Sequence, residues 1–112
     1  MNSSASQNYI IMADADISTQ SQPSLGRLRS INWNQYDGLI HAGDFAYDVN
    51  YDGGSKGDSY FNSISDLTAR VPYLIVAGNH ENYDNTKLFD YRFKMPGYNA
   101  DYNNNLWVFK RG

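Results

Sequence analysis

The sequence predicts an α/β fold in which strands and helices alternate in the order strand, helix, strand, helix, strand. Short apolar runs end at glycine or at polar residues, and the segments between them carry apolar residues at helical spacing. This alternation implies parallel strands joined by right-handed crossovers. A length of 112 residues allows one small domain at most.

Two strands and one helix are predicted in the first half of the chain. Residues 9–13 are apolar and predict the first strand. A helix is expected over residues 23–33, because Pro23 suits a first helical turn and the apolar residues that follow recur at helical spacing. Gly38–Ala42 is the second predicted strand.

The second half is predicted to contain a long loop, a helix and a third strand. Residues 48–58 are rich in aspartate and glycine, and they predict a loop that is long for a compact domain. An apolar stripe predicts a helix over residues 60–70, and residues 71–77 predict the third strand. A helical turn is expected within residues 82–96, and a fourth strand over residues 106–109.

The composition argues against several classes of function. A net charge of −3 and an isoelectric point near 5.1 argue against a nucleic-acid partner, and the scattered basic residues form no patch for an anionic membrane. The absence of cysteine excludes disulfides, thiolate catalysis and cysteine-ligated zinc. Residues 1–7 lack the apolar core of a secretory signal and are expected to be a disordered lead-in to a domain over residues 8–112. Localisation and oligomeric state stay open.

Polar side chains follow each of the three predicted strands. Asp14 follows the first strand, and Asp44 follows the second, with Tyr47 three residues later. Asn79 and His80 follow the third. Parallel strands end at a common edge, so we expect these side chains to converge there. Their oxygen atoms suit a hard cation, which would offset the repulsion between crowded carboxylates. A turn that only ends a strand could explain one such ending, but three together favour a site.

Two short motifs at these strand ends carry a family resemblance. The run from Gly43 to Tyr47 reads Gly-Asp-Phe-Ala-Tyr, and the run from Gly78 to Glu81 reads Gly-Asn-His-Glu. They match the Gly-Asp-x-x-Tyr and Gly-Asn-His-Glu motifs of the purple acid phosphatases, within the calcineurin-like metallophosphoesterases. Residues 22–25 and 92–97 also resemble family segments. The resemblance extends over residues 9–109 and implies the βαβαβ half of a metallophosphoesterase two-sheet sandwich with flanking helices, incomplete in this chain.

The resemblance implies a role for each residue at the site. Asp14 would bind a ferric ion, Asp44 would bridge this ion and a second, divalent ion, and Tyr47 would bind the ferric ion as phenolate. Asn79 would bind the divalent ion, which would be iron, zinc or manganese. His80 would contact the phosphate group or protonate the leaving oxygen. The implied activity is that of an acid phosphatase, which hydrolyses phosphate monoesters by means of a metal-bound hydroxide.

The sequence departs from the family pattern in two ways. Asp16 stands where the first motif of the family has a second glycine, so the turn or the charge there is expected to differ. The later motifs of the family, which carry histidine ligands, are absent, and the chain contains only His41 and His80. His41 lies inside the second predicted strand and is expected to be a buried structural residue. The chain is therefore expected to hold only part of a dimetal site.

Two other interpretations stay open. Asp14 and Asp16 resemble the nucleophile motif of the haloacid dehalogenase-like phosphatases, with the run from Gly43 to Asp48 as a magnesium motif, but the threonine and lysine motifs of that family are missing between them. Alternatively, the chain is a truncated, non-catalytic fragment that retains partial metal ligands. Lost ligands would weaken metal binding, and an isolated sheet would expose an unpaired edge. We therefore expect the 112-residue segment alone to be poorly stable and nearly inactive.

Overall fold

The computed structural model describes residues 6–82 and 87–95, and it confirms the predicted alternation of strands and helices. Its strands and helices are β1 Tyr9–Met12, α1 Gln22–Arg29, β2 Gly38–Ala42, α2 Ser55–Thr68, β3 Tyr73–Val76 and α3 Lys87–Arg92. Short 3-10 helices at Trp33–Gln35, Tyr51–Gly54 and Asn79–Glu81 connect them. The strand predicted over residues 106–109 and most of the predicted lead-in lie outside the described residues.

The three strands form one parallel sheet with β2 at its centre. Met12 of β1 pairs with His41 of β2, and His41 pairs with Ile75 of β3, so these three residues lie on the same face of the sheet. All three strands run in one direction, and their carboxyl ends therefore share one edge. This arrangement confirms the predicted parallel order and puts the three strand-end motifs next to one another.

Both long helices pack on the face of the sheet that carries His41. The hydroxyl of Tyr60 in α2 lies 3.4 Å from Nδ1 of His41, and α1 lies beside α2, where Arg29 forms an ion pair with Asp66 at 3.3 Å. Right-handed crossovers that advance across a sheet in one direction bring both helices to the same face. The opposite face carries Ile11, which is 69% exposed. This face is therefore uncovered at β1, whereas Leu74 of β3, which lies on the same face, is buried.

The prediction of a loop over residues 48–58 is wrong for its last four residues, because α2 already begins at Ser55. Gly57, one of the glycines that suggested a loop, is buried in the first turn of this helix. A Cβ atom at Gly57 would lie 2.6 Å from the carbonyl oxygen of Val49. The glycine therefore lets the helix approach the preceding chain closely, and does not indicate a flexible segment.

The first helix is shorter than predicted, since α1 ends at Arg29. Asn32 has an extended backbone, and its side chain accepts a hydrogen bond from the N–H of Asn34 at 3.3 Å, which starts a separate 3-10 helix. This turn brings Trp33 back into the core, where its indole N–H donates to the carbonyl of Leu28 at 3.0 Å. The apolar spacing that predicted one long helix thus reflects two consecutive elements.

Phe45 lies at the centre of the core and is completely buried. Five aromatic rings surround its own, with centroids 5.2 to 6.4 Å away: His41, Tyr60, Phe61, Phe89 and Phe93. Because Phe45 directly follows Asp44, this packing anchors the turn after β2 to the core.

α3 confirms the helical turn predicted within residues 82–96. It docks on the start of α2 through Arg92, which pairs with Asp58 at 2.7 Å and donates to the carbonyl of Gly54 at 3.1 Å. Across residues 6–82 and 87–95, no helix is both long enough and apolar enough to span a membrane.

Candidate metal centre

The chain turns in the same way after β1 and after β2. Asp14 and Asp44 both have a φ of 54°, in the left-handed region that aspartate enters more readily than most residues. The N–H of Asp14 donates to the carbonyl of Gly43 at 3.2 Å, and the N–H of Ala15 donates to the carbonyl of Asp44 at 3.0 Å. These bonds continue the parallel pairing beyond the strands and hold the backbones of the two aspartates side by side.

Tyr47 reaches across to the end of the neighbouring strand. Its hydroxyl donates a hydrogen bond to Oδ1 of Asp14 at 2.8 Å. Loss of solvent, the bond to Asp14 and the nearby carboxylates together raise the pKa of Tyr47 to about 12. Asp14 is exposed and Tyr47 is half-buried, so their two oxygen atoms form an accessible pair at the sheet edge.

His80 connects the end of β3 to the turn after β2. Its backbone N–H donates to Oδ1 of Asp44 at 3.0 Å, and Nδ1 of its ring lies 2.6 Å from Oδ1 of Asp48. The hydrogen bond to Asp48 is the main reason that the pKa of His80 is raised. The imidazole also packs against the ring of Tyr47, with the centroids 4.6 Å apart. Asp48 was expected near Asp44 only in the alternative haloacid dehalogenase-like interpretation, and its contact with His80 was not predicted.

Glu81 is the second residue of the site that sequence reasoning missed. It is 2% exposed and accepts hydrogen bonds from three backbone N–H groups, which belong to Asp44, Phe45 and Gly78. Burial raises the pKa of Glu81, whereas these three N–H groups oppose that shift. The available signal was its place in the strand-end motif, as the only glutamate in the chain.

Asn79 and His41 differ in their exposure to solvent. Asn79 is exposed at the first position of the 3-10 helix after β3, immediately before His80. His41, in contrast, is completely buried in β2, with Nδ1 2.6 Å from the hydroxyl of Tyr73. Burial lowers the pKa of His41 to about 4. His41 therefore belongs to the core, as predicted.

Asp16 serves the loop that leads to α1. Its Oδ1 atom accepts hydrogen bonds from the N–H and hydroxyl of Ser18 and from the hydroxyl of Ser21. Burial acts to raise the pKa of Asp16, but the hydrogen bonds from both serines outweigh it and lower the pKa below its usual value. The aspartate that replaces the expected glycine is thus held within its own loop, where it orders the approach to α1.

The carboxylate, phenol and amide oxygen atoms at this edge suit a hard cation. The hydroxyl of Tyr47 and Oδ1 of Asp14 are close enough to bind one ion together. Asp44 follows the adjacent strand, and its Oδ1 already accepts the N–H of His80. Within residues 6–82 and 87–95, no three histidine or acidic side chains form a group that could hold a metal ion. Asp14, Asp44, Tyr47 and Asn79 would therefore supply only part of the ligands of a metal centre.

Comparison with known proteins agrees with the motifs at this edge. A family model described as calcineurin-like phosphoesterase matches residues 16–111. Acid phosphatase type 7 of Danio rerio is 40% identical over 83 residues, which are 73% of this chain and 19% of that protein. The proteins of the same name from Homo sapiens and Mus musculus are each 35% identical over 85 residues, which are 75% of this chain and 19% of theirs. The chain thus spans about a fifth of the length of these curated relatives. No solved structure matches the chain.

Proposed function

Because the chain belongs to the calcineurin-like phosphoesterase family, we propose that it forms part of an acid phosphatase that hydrolyses phosphate monoesters at a two-metal site. One observation carries this proposal: side chains from separate strand ends contact one another at a single edge. Tyr47 bonds to Asp14, and Asp44 bonds to the backbone of His80. Members of this family are metal-dependent, and relatives named acid phosphatase support the choice of substrate class.

The oxygen donors can be assigned to two metal ions. Asp14 and Tyr47 would hold a ferric ion, Asn79 would hold a divalent iron, zinc or manganese ion, and Asp44 would lie between them. Two such ions would polarise the oxygen atoms of a phosphate group and lower the pKa of an attacking water molecule. The ligands that the described residues lack would come from other parts of the protein.

His80 is suited to act on the leaving group. Hydrolysis breaks the bond between phosphorus and the ester oxygen, and this oxygen must gain a proton. The contact between Nδ1 of His80 and Asp48 orients the imidazole and leaves its other ring nitrogen for the substrate. Packing against Tyr47 holds the ring at the edge of the proposed metal centre.

The proposal is tested by the hydrolysis of p-nitrophenyl phosphate by the full-length protein. Asp44→Asn should lower kcat/KM by at least ~100-fold, because an amide is a poor bridge between two cations. Asp66→Asn is the matched control, since it removes a carboxylate that pairs with Arg29 on the helical face. Its activity should equal that of the unsubstituted protein. Full activity in Asp44→Asn would contradict the proposed site.

The ferric assignment has a separate optical test. A phenolate bound to Fe(III) gives a charge-transfer absorption band in the visible range, so the iron-loaded protein should be purple. Tyr47→Phe should abolish this band while the iron content measured by mass spectrometry stays similar. An active but colourless protein would contradict the role of Tyr47 and leave the phosphatase proposal intact.

A second candidate is a non-catalytic role for this chain. The observation that favours it is the small ligand set, since the described residues hold no group of three histidine or acidic side chains that could bind a metal. This candidate predicts no hydrolysis by the 112-residue chain with iron, zinc or manganese, even under conditions in which the full-length protein is active. Hydrolysis by the 112-residue chain that is lost in Asp44→Asn would contradict it.

A further inference from the structure

Glu81 joins the two turns that carry the proposed metal ligands. Its Oε2 atom accepts the N–H of Asp44 and the N–H of Gly78, both at 2.8 Å, and its Oε1 atom accepts the N–H of Phe45 at 3.1 Å. We call these three bonds the Glu81 clamp. Hydrogen bonds to an ionised carboxylate are about twice as strong as neutral ones, so the clamp holds the turn after β2 firmly against the turn after β3.

The backbones of the two turns are in direct contact beside the clamp. A Cβ atom at Gly43 would lie 2.6 Å from the Cα atom of Gly78, and Gly43 has a left-handed φ of 83°. A Cβ atom at Gly78 would lie 2.5 Å from the backbone nitrogen of Asp44. Only glycine at both positions permits this approach, which brings the three N–H groups within reach of a single carboxylate.

We propose that Glu81 is a positioning residue for the metal centre: its carboxylate fixes Asp44 relative to the turn that carries Asn79 and His80, without touching a metal itself. The inference rests on the proposed function, because it concerns the same site. Groups that orient metal ligands commonly alter metal affinity when they are replaced. Here the orientation acts through the backbone of Asp44, whose N–H is bound by Glu81 and whose Oδ1 is bound by the N–H of His80.

The location of Glu81 favours this role over simple packing. Within the described residues it is the one acidic side chain that is buried. Burial of a carboxylate is costly unless its oxygens are satisfied, and an apolar side chain could fill the same space at less cost. What an apolar residue could not do is bind three N–H groups from two different turns. Burial of the carboxylate therefore lowers the stability of the protein, but its three hydrogen bonds fix the separation between the two turns.

The test is the affinity of the full-length protein for Zn²⁺, measured by titration calorimetry with Glu81→Gln and with the control Asp66→Asn. Glutamine has the size of glutamate, but its NH₂ group cannot accept a hydrogen bond, so at least one clamp bond is lost. We expect Glu81→Gln to bind Zn²⁺ ~10–100-fold more weakly, while Asp66→Asn is unchanged. The measurement is made well below the unfolding midpoint of each variant, so that a loss of stability alone does not alter it.

Unchanged Zn²⁺ affinity in folded Glu81→Gln would overturn this inference and leave the phosphatase proposal standing. An unsubstituted protein that binds none of iron, zinc and manganese would overturn both. If Glu81→Gln does not fold, hydrogen exchange in the unsubstituted protein replaces the variant. The N–H groups of Asp44, Phe45 and Gly78 lie outside the strands, yet the clamp predicts that they exchange as slowly as those of β2. Fast exchange at these three positions would overturn the inference.

Discussion

The buried imidazole of His41 should make the protein lose stability in acid. Its pKa is about 4 in the folded protein, against 6.5 for a histidine in the unfolded chain. Between these values the unfolded chain binds more protons than the folded one, so the free energy of unfolding falls as the pH falls. Stability is therefore lost from pH 6.5 down to about pH 4, and this histidine causes no further loss below that.

The size of the effect follows from the same two values. The difference between them corresponds to about 3 kcal/mol, most of which is already lost at about pH 4.5. Such a loss is large for a domain whose total stability is ~5–15 kcal/mol. It is also relevant to an enzyme that is proposed to work in acid.

The assay is urea unfolding at about pH 7 and about pH 4.5, with the slope m checked for two-state behaviour. His41→Asn removes the titrating ring, and its amide oxygen can still accept a hydrogen bond from the hydroxyl of Tyr73. Between the two pH values it should lose about 2.5 kcal/mol less than the unsubstituted protein. Tyr73→Phe removes the hydrogen bond but keeps the ring, and should retain the full acid sensitivity. Equal losses in His41→Asn and the unsubstituted protein would show that His41 is not the cause of the acid sensitivity.

Two further predictions concern the turn after β2 and its anchor. Gly43→Ala should destabilise the protein by more than ~2 kcal/mol, because of its left-handed φ and the collision with Gly78, whereas Gly26→Ala should stabilise helix α1 by about 0.5–1 kcal/mol, since its Cβ meets no atom within 4 Å. Phe45→Ala should lower the free energy of unfolding by ~3–5 kcal/mol, because its ring is fully buried among aromatic rings. Urea unfolding checks each value. A stabilising Gly43→Ala would contradict the close contact with Gly78, and a destabilising Gly26→Ala would contradict the open space beside α1.

The sheet and its polar edge could be predicted because both follow from the order of residues along the chain. Buried parallel strands appear as apolar runs, and the residue after each run must lie at the carboxyl edge. The sequence alone therefore predicts that Asp14, Asp44 and His80 lie at the same edge of the sheet. The structure adds the contacts between them, such as the bond from Tyr47 to Asp14.

The roles of Glu81 and Asp48 could not be predicted, because their partners are far away in sequence. Glu81 binds the N–H groups of residues 36 and 37 positions earlier, and an N–H group is present in nearly every residue. Asp48 meets His80 across 32 positions. The start of α2 was misplaced for a related reason. Gly57 suggests a loop until Val49 is known to lie against it.

The proposed position of Asp44 between two metal ions can be tested by anomalous X-ray scattering from metal-loaded crystals of the full-length protein. Data collected at the iron edge and at the edge of the second metal locate each ion separately. We expect two ions ~3.5–4 Å apart, with the carboxylate of Asp44 in contact with both and the oxygen of Tyr47 in contact with the iron. A single ion, or two ions that Asp44 does not join, would contradict it.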